Sequence, residues 1–401
     1  MLTKPKMFEK PSGVKDYLPE AVGKLKYIEA NVLECMEKWG YRQILTPALE
    51  YYDTVGAAST TSDDKLFKLL DKKGTTMVLR SDLTAPIARV ISSLLKDEPL
   101  PIRLSYHANV FRAMEEEAGR EAEFFQTGVE LVGDESPEAD AEMVALAIDS
   151  LKAAGIHSFK IALGHVGFLK GLFQETLAGD ESSQQELMEH LLARNYVGYR
   201  NKLSKLNISE QAKHELADIL RLRGGEEACE QAKKLTNDPL AHRSIEHLCS
   251  IWNVLKDYDA QPYVMIDLTM VGDFSYYTGM TFEGYASDLG FPVCSGGRYD
   301  NLLNQFGRPA PATGFALKTN RILEVAETKQ ETPYTMLVLY AADRRREAFE
   351  YAREQREQNR YSVETGLVHQ AAEWSGIETT VDGMRSYKGK TYQEIVVFQS
   401  T

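Results

Sequence analysis

The order of elements in the first 165 residues restricts the fold most. Residues 22–39 place Val22, Leu25, Ile28, Val32, Cys35 or Met36, and Trp39 at helical spacing, and Gly40 follows as a stop signal. Strand-rich runs come next. YRQILTPALEYY reads as a strand interrupted by Pro47, a residue tolerated only at a sheet edge or bend. TMVLR (76–80), PIRLSYHANVFR (101–112) and EFFQTGVELV (123–132) continue the pattern. A helix is predicted from Ser136-Pro137, with serine as cap and proline in the first turn, to Gly155, and FKIALG is another strand. A helix followed by several strands without βαβ alternation implies an antiparallel sheet in an α+β domain.

Further along, the chain changes character. Residues 172–258 are rich in Glu, Leu, Lys and Ala, with weak strand signals, and read as an inserted helical subdomain. Strand character returns over 263–286, SGGRYD reads as a tight turn before a helix at 300–306, and GFALKTNRILEVAE as strand then helix. The polar KQETP at 329–333 reads as a linker. Beyond it TMLVLYAA, RRREAFEYAREQREQ, SVETGL and EIVVFQ alternate as strand, helix, strand, strand, a small α/β domain near the lower size limit for an independent core. The expected division is therefore 1–171 with 259–328 as one core, 172–258 as its insertion and 333–401 as the tail, within the two or three domains that 401 residues suggest.

Several function classes are disfavoured. A net charge of −13 leaves no electrostatic footprint for nucleic acid. Cys35, Cys229, Cys249 and Cys294 lie far apart without a CxxC pair, which fits neither a zinc site nor a disulfide framework and points to a reducing compartment. No signal peptide and no apolar run of spanning length are visible, so a cytoplasmic protein without membrane contact is expected. The eight histidines form no HxxxH or HxH pair, and neither a nucleophile elbow, a Walker loop nor GxGxxG occurs, so no metal or cofactor is expected.

What remains is a set of scattered polar residues, each open to a plain structural reading. Asp82 and Thr84 in LRSDLTAPIAR precede a helix and could simply cap it. Arg112 could clamp a carboxylate or phosphate with two N–H groups, or pair with a neighbouring glutamate on the surface. Gln126 and Glu130 lie four apart on a predicted strand and share a face, which could equally be solvated. Tyr276 and Tyr277 in GDFSYYTGMTFEGY could be core, and GGRYD a backbone-driven turn.

Taken together, the order, types and spacing of these pieces resemble the catalytic domain of histidyl-tRNA synthetase, a class II aminoacyl-tRNA synthetase. SGVKDYLPE, GYRQILTPALEYYD (motif one), LRSDLTAPIAR, VFR with EFFQTGVELVG (motif two), YYTGMTFEGY, CSGGRYDNLL and GFALKTNRIL (motif three) carry the resemblance over residues 10–325. It implies an antiparallel sheet of six or seven strands flanked by helices, with motif one building a homodimer interface. It also implies a histidine-binding set of Asp82 (a glutamate in the synthetase), Thr84, Arg112, Gln126, Glu130, Tyr276 and Tyr277. The chemistry fits: a zwitterion needs anions for its ammonium group and donors for its carboxylate, and an imidazole needs a partner at each nitrogen.

The chain departs from the synthetase where ATP would be held. In FRAMEEEAGREAEF, Met114 takes the adenine-side glutamate position and Glu115 that of the following arginine. Residues 115–123 hold five glutamates against Arg120, a local sum of −4, and each close contact with a triphosphate would cost about 1–4 kcal/mol. Gly272 stands where the synthetase has an arginine that supports carboxylate activation, although Arg321 keeps the motif-three position. A retained amino-acid pocket beside disabled chemistry is similar to the regulatory subunits of ATP phosphoribosyltransferase. That resemblance implies a non-catalytic histidine sensor, a short-form catalytic subunit as partner, a homodimer within a hetero-octamer, free histidine as effector and no tRNA. A diverged histidine–tRNA ligase and a ligand-free scaffold are the alternative readings.

Overall fold

The computed structural model describes residues 9–59, 61–113, 121–177, 179–270, 272, 276–328, 334–358, 361–380 and 382–400. The chain divides into two compact units, Met1–Thr328 and Lys329–Thr401. In the first, the strands are β1 Arg42–Gln43, β2 Leu49–Tyr51, β3 Lys68–Leu70, β4 Thr76–Leu79, β5 Ile102–Phe111, β6 Glu123–Val132, β7 Phe159–His165, β8 Arg223–Gly224, β9 Val264–Asp267, β10 Met280–Ala286, β11 Cys294–Arg298 and β12 Ala312–Lys318. Nine of them form one sheet in the order β1-β5-β6-β12-β11-β10-β7-β9-β8. Every pairing from β5 through to β7 is antiparallel. Only β1 on β5 and β9 on β7 pair in parallel, so the class II-like sheet is mixed at its margins and wider than the expected six or seven strands.

Helix α1 (Pro19–Lys38) begins at a proline in its first turn and buries Leu25, Ile28, Val32 and Met36, the stripe that the spacing marks out. Helix α2 (Thr84–Ser93) follows the small sheet β2-β4-β3. Helix α3 (Pro137–Ala153) is capped by Ser136, whose Oγ accepts the Ala139 N–H at 3.2 Å. The helical stretch comprises α4 Val166–Thr176, α5 Glu181–Leu192, α6 Tyr196–Lys205, α7 Glu210–Asp218, α8 Glu226–Ala232 and α9 Pro239–Asp257, and α10 Thr319–Val325 closes the unit. The helices after α4 do not keep a core of their own. Leu187, Tyr199, Leu216, Leu248 and Ile251 join Ile28, Val129, Leu151 and Ile161 in a single buried apolar cluster. Each such side chain removed from water contributes about 1.5–3 kcal/mol, so α9 acts as part of the sheet's cover.

Two local readings change. YRQILTPALEYY is two short strands in different sheets, β1 and β2, separated around Pro47. SGGR is a strand rather than a tight turn, because a Cβ at Gly296 would lie 2.5 Å from Gly314 O and 2.5 Å from Phe315 Cβ. The glycines serve close strand approach.

In the second unit, β13 (Tyr334–Tyr340) lies between β14 (Tyr361–Leu367) and β18 (Glu394–Phe398), both parallel to it. Strand alternation directs Met336 and Val338 to Ala348 and Ala352 of α11 (Arg345–Glu357), and Leu337 and Leu339 to Val368, Tyr387 and Tyr392. β15 (Glu378–Thr379), β16 (Arg385–Tyr387) and β17 (Lys390–Tyr392) add a small antiparallel sheet.

Candidate functional site

Period-two geometry on β6 sets the floor of the site. Gln126, Gly128 and Glu130 share one face, and Gly128 stands opposite Tyr106 of β5. A Cβ at Gly128 would come within 2.6 Å of the Tyr106 hydroxyl, so the missing side chain lets that tyrosine lie across β6 and reach Glu130. On the other side Gly314 of β12 pairs with Glu130, and a Cβ there would meet Glu130 Oε2 at 2.1 Å. Two glycines therefore clear the space around one carboxyl group.

Asp82, Thr84, Arg112, Gln126, Glu130, Tyr276 and Tyr277, the whole set named from the sequence, line one cavity of about 260 Å³. That volume falls just below the 300–1,000 Å³ common for small-molecule pockets. Sequence reasoning missed Tyr106, Ser295, Gly296, Tyr299, Gly314, Phe315 and Ala316, which line it as well. Tyr299 had a visible signal, since GGRYD was already singled out; Tyr106 had none before its register with Gly128 was known.

Glu130 is 2% exposed and is held by hydroxyl groups. Thr84, the first residue of α2, donates to Oε1 at 2.9 Å, Tyr299 donates to Oε2, and Tyr106 adds a third hydroxyl. Burial nevertheless dominates and pushes its pKa up to about 8, with the nearby Asp82 charge adding to the rise. The three tyrosines around it, Tyr106, Tyr276 and Tyr299, are raised well above the usual phenol range, first by burial and then by the Glu130 charge, so they remain protonated donors. Tyr276 stacks on Tyr299 with ring centres 5.3 Å apart and meets Tyr277 edge-on at 4.9 Å.

Asp82 combines the plain and the functional readings. Its Oδ1 accepts the Ala85 N–H at 3.1 Å and so caps α2, and its Oδ2 accepts the Ser59 hydroxyl at 2.6 Å. Arg112 is turned inward among the described residues. Its Nε donates to Ser81 O at 3.0 Å, burial works against its charge and Asp82 supports it. The Gln126 side chain, buried on the same face of β6 as Glu130, lines the same cavity. One guanidinium and two carboxyl groups thus face a shared space, bounded by amide and phenol donors.

The loop positions Met114 to Glu117 and Arg120 lie outside the described residues. At its described end, Glu121 pairs with Lys15 and accepts from Asn320, and Glu123 accepts from Asn109 at 2.6 Å. At Gly272 a Cβ would lie 2.7 Å from both Thr281 Cγ2 and Tyr277 Cδ2, so any side chain there requires those neighbours to shift. Arg321 donates to Pro292 O at 2.8 Å and lies over the Phe291 ring. Among the described residues no group of three or more His, Cys, Asp or Glu side chains could hold a metal, and no helix is long and apolar enough to cross a membrane.

The fold that carries this polar cavity has known counterparts. The family model described as histidyl-tRNA synthetase matches residues 13–322, and the chain belongs to that family. Its relatives narrow the branch. The ATP phosphoribosyltransferase regulatory subunit of Bacillus licheniformis is 46% identical over 386 residues, covering 96% of this chain and 97% of its own. The subunit of the same name from Halalkalibacterium halodurans is 44% identical, covering 98% and 97%. A crystal structure from Bacillus halodurans, described as an ATP phosphoribosyltransferase regulatory subunit/histidyl-tRNA synthetase, superposes with a TM-score of 0.88 at 42% identity over 99% of this chain and 100% of that one. Histidyl-tRNA synthetase from Nostoc shares the fold with a TM-score of 0.77 at 20% identity, covering 96% of each chain.

Proposed function

We propose that this chain is a regulatory subunit of ATP phosphoribosyltransferase, without chemistry of its own, that binds free histidine in the cavity and sets the activity of a separate short catalytic subunit in the first step of histidine biosynthesis. One observation carries the ligand: Asp82, Arg112 and the β6 pair Gln126 and Glu130, from three separate segments, converge on one small cavity. Asp82 suits the ammonium group, the Arg112 fork the carboxylate, and Glu130 with a tyrosine hydroxyl the two imidazole nitrogens. The relatives named regulatory subunits support the partner. The crowding at Gly272 supports a pocket without the synthetase's activating cation. The net charge of −13 speaks against tRNA as a ligand, and the protein is assigned to the cytoplasm with its pathway.

An apolar sheet face supports a homodimer, set within a hetero-octamer with the catalytic subunit. Leu49 and Tyr51 pair with Leu79 and Met77, and Leu69 also stands opposite Met77, so all five share one face of the small sheet. Leu49, Tyr51 and Leu69 are 46%, 55% and 42% exposed, whereas Val78 and Glu50 on the opposite face are buried. Contiguous exposed apolar side chains of this kind mark association surfaces. Regulation then follows from linkage: histidine binds one assembly state better, and a coupling of about 1–3 kcal/mol alters the catalytic subunit.

Reconstitution tests the reading. A short catalytic subunit should gain activity and histidine sensitivity on adding this chain, and calorimetry should register histidine binding. A catalytic subunit equally active and equally sensitive alone, or histidine-dependent exchange of pyrophosphate into ATP by this chain, overturns it.

A further inference from the structure

Behind the cavity wall lies a charged network that no step above uses. Arg298, 5% exposed, donates through Nε to Asp140 Oδ2 at 3.0 Å, and its Nη2 lies 2.9 Å from Asp140 Oδ1 as an ion pair off the hydrogen-bond line. Its Nη1 donates to Asp134 O at 3.0 Å and to Asp300 Oδ1 at 3.2 Å. Asp300 Oδ1 also accepts the Ala312 N–H at 3.0 Å, and its Oδ2 accepts the Thr278 hydroxyl at 2.9 Å. The Thr278 N–H in turn donates to Arg298 O at 2.8 Å. At the far end His247 of α9 packs Nε2 at 3.6 Å from Asp140 Oδ2, a contact longer than a hydrogen bond, and burial lowers the pKa of its imidazole.

The position of this network in the sheet gives it meaning. Arg298 ends β11 and Asp300 lies in the turn beyond it; the two side chains meet each other, whereas Tyr299 between them donates to Glu130 in the cavity. Thr278 follows directly on Tyr276 and Tyr277. One set of contacts behind the sheet thus fixes both segments that carry the tyrosine wall. An ion pair this deeply buried adds little net stability over apolar packing of equal volume, but it holds a unique geometry.

We propose that the His247–Asp140–Arg298–Asp300–Thr278 network is a positioning device that sets Tyr276, Tyr277 and Tyr299 around Glu130 and through which helix α9 bears on the cavity. That these tyrosines touch histidine rests on the function proposed above; the positioning does not. Its ends, Thr278 and His247, do not line the cavity, so they can be altered without removing a ligand contact.

The test uses the full chain as wild type, Thr278→Val, Thr278→Ser and His247→Leu, with two readouts: hydrogen exchange of the 276–280 amides without ligand, and histidine affinity by calorimetry. Thr278→Val should speed exchange and weaken histidine binding about tenfold each, the scale of one lost hydrogen bond to a charged group, and Thr278→Ser should restore both. His247→Leu should move both readouts in the same direction by about threefold. Unchanged exchange in Thr278→Val, or an equal defect in Thr278→Ser, overturns the network; a His247→Leu chain identical to wild type overturns the role of α9. If wild type binds no histidine the functional reading falls, and exchange alone then decides the positioning.

Discussion

Replacing Glu130 by glutamine tests the electrostatics of the cavity directly. The folded protein raises this carboxyl from its ordinary 4.5 to about 8, chiefly by burial. A carboxyl whose folded pKa lies above its unfolded one contributes its stability fully below the unfolded value and loses it as pH climbs through the folded value. For Glu130 that window runs from 4.5 to about 8. Across it, each pH unit is worth about 1.36 kcal/mol, so the wild-type cavity loses up to about 5 kcal/mol between acid and pH 8. Glu130→Gln is neutral at every pH and escapes this loss. The hydroxyls of Thr84, Tyr106 and Tyr299 must rearrange to meet an amide nitrogen, which lowers stability by an amount independent of pH. Urea unfolding of both proteins from pH 4 to 9, followed by hydrogen exchange at the β6 amides, isolates the pH-dependent part. The stability of Glu130→Gln relative to wild type should rise steadily through neutrality and level off above about pH 8. A difference that stays flat between pH 5 and 8 would show that Glu130 is ionised throughout, and the burial argument would fail.

Three further outcomes follow from the same geometry. Gly314→Ala drives a Cβ to 2.1 Å from Glu130 Oε2 and 2.5 Å from Val129 O, so strand β12 must shift; calorimetry should find no histidine binding and thermal melting a loss of about 1–3 kcal/mol. Arg112→Lys keeps the charge but not the planar fork, and histidine affinity should fall about ten- to a hundredfold with the melting temperature nearly unchanged. Paired Tyr51→Asp and Leu69→Lys changes on the exposed face of the small sheet should give a monomer in light scattering, whereas a dimer that survives them would place the interface elsewhere.

The legible elements were those that advertise themselves locally. Helix α1 shows helical spacing of its apolar residues, α3 a serine cap with proline in the first turn, and β5 and β6 long runs bounded by breaks. Composition was a weaker guide from residue 172 onward. It registers that helices dominate there, but not that β8 joins the main sheet or that Leu187, Leu216 and Leu248 turn inward onto the sheet's own apolar cluster, because the number of leucines says nothing about what they cover. Glycine was ambiguous for a physical reason. In SGGRYD it permits either a tight turn or the close approach of two strands, and only the partner strand, with Gly314 O where a Cβ would sit, decides between them.

The site itself follows a different logic. Its polar residues come from α2, β5, β6, β10's approach and β11's exit, and no periodicity links them, since a cavity is built from contacts between positions far apart in the chain. Gln126 and Glu130 were placed on one face by alternation alone, and their geometry could be stated before any fold was known. The pairing of Tyr106 with Gly128 could not, because register between β5 and β6 is a property of two strands at once. A resemblance in motif order collected the seven residues by carrying over the non-local contacts of a whole family. The chemistry argument gains force from that division: the Asp82 carboxyl and the Arg112 guanidinium now share one cavity, so the proposed fit to a zwitterion is geometric as well as compositional. Whether such a cavity senses or reacts turns on the cations available to a triphosphate. A Cβ at Gly272 would lie 2.7 Å from Thr281 Cγ2 and from Tyr277 Cδ2, so an arginine there would require both side chains to shift. A glycine in that position removes one charge that would stabilise the activation step, which supports the proposed sensor over a ligase.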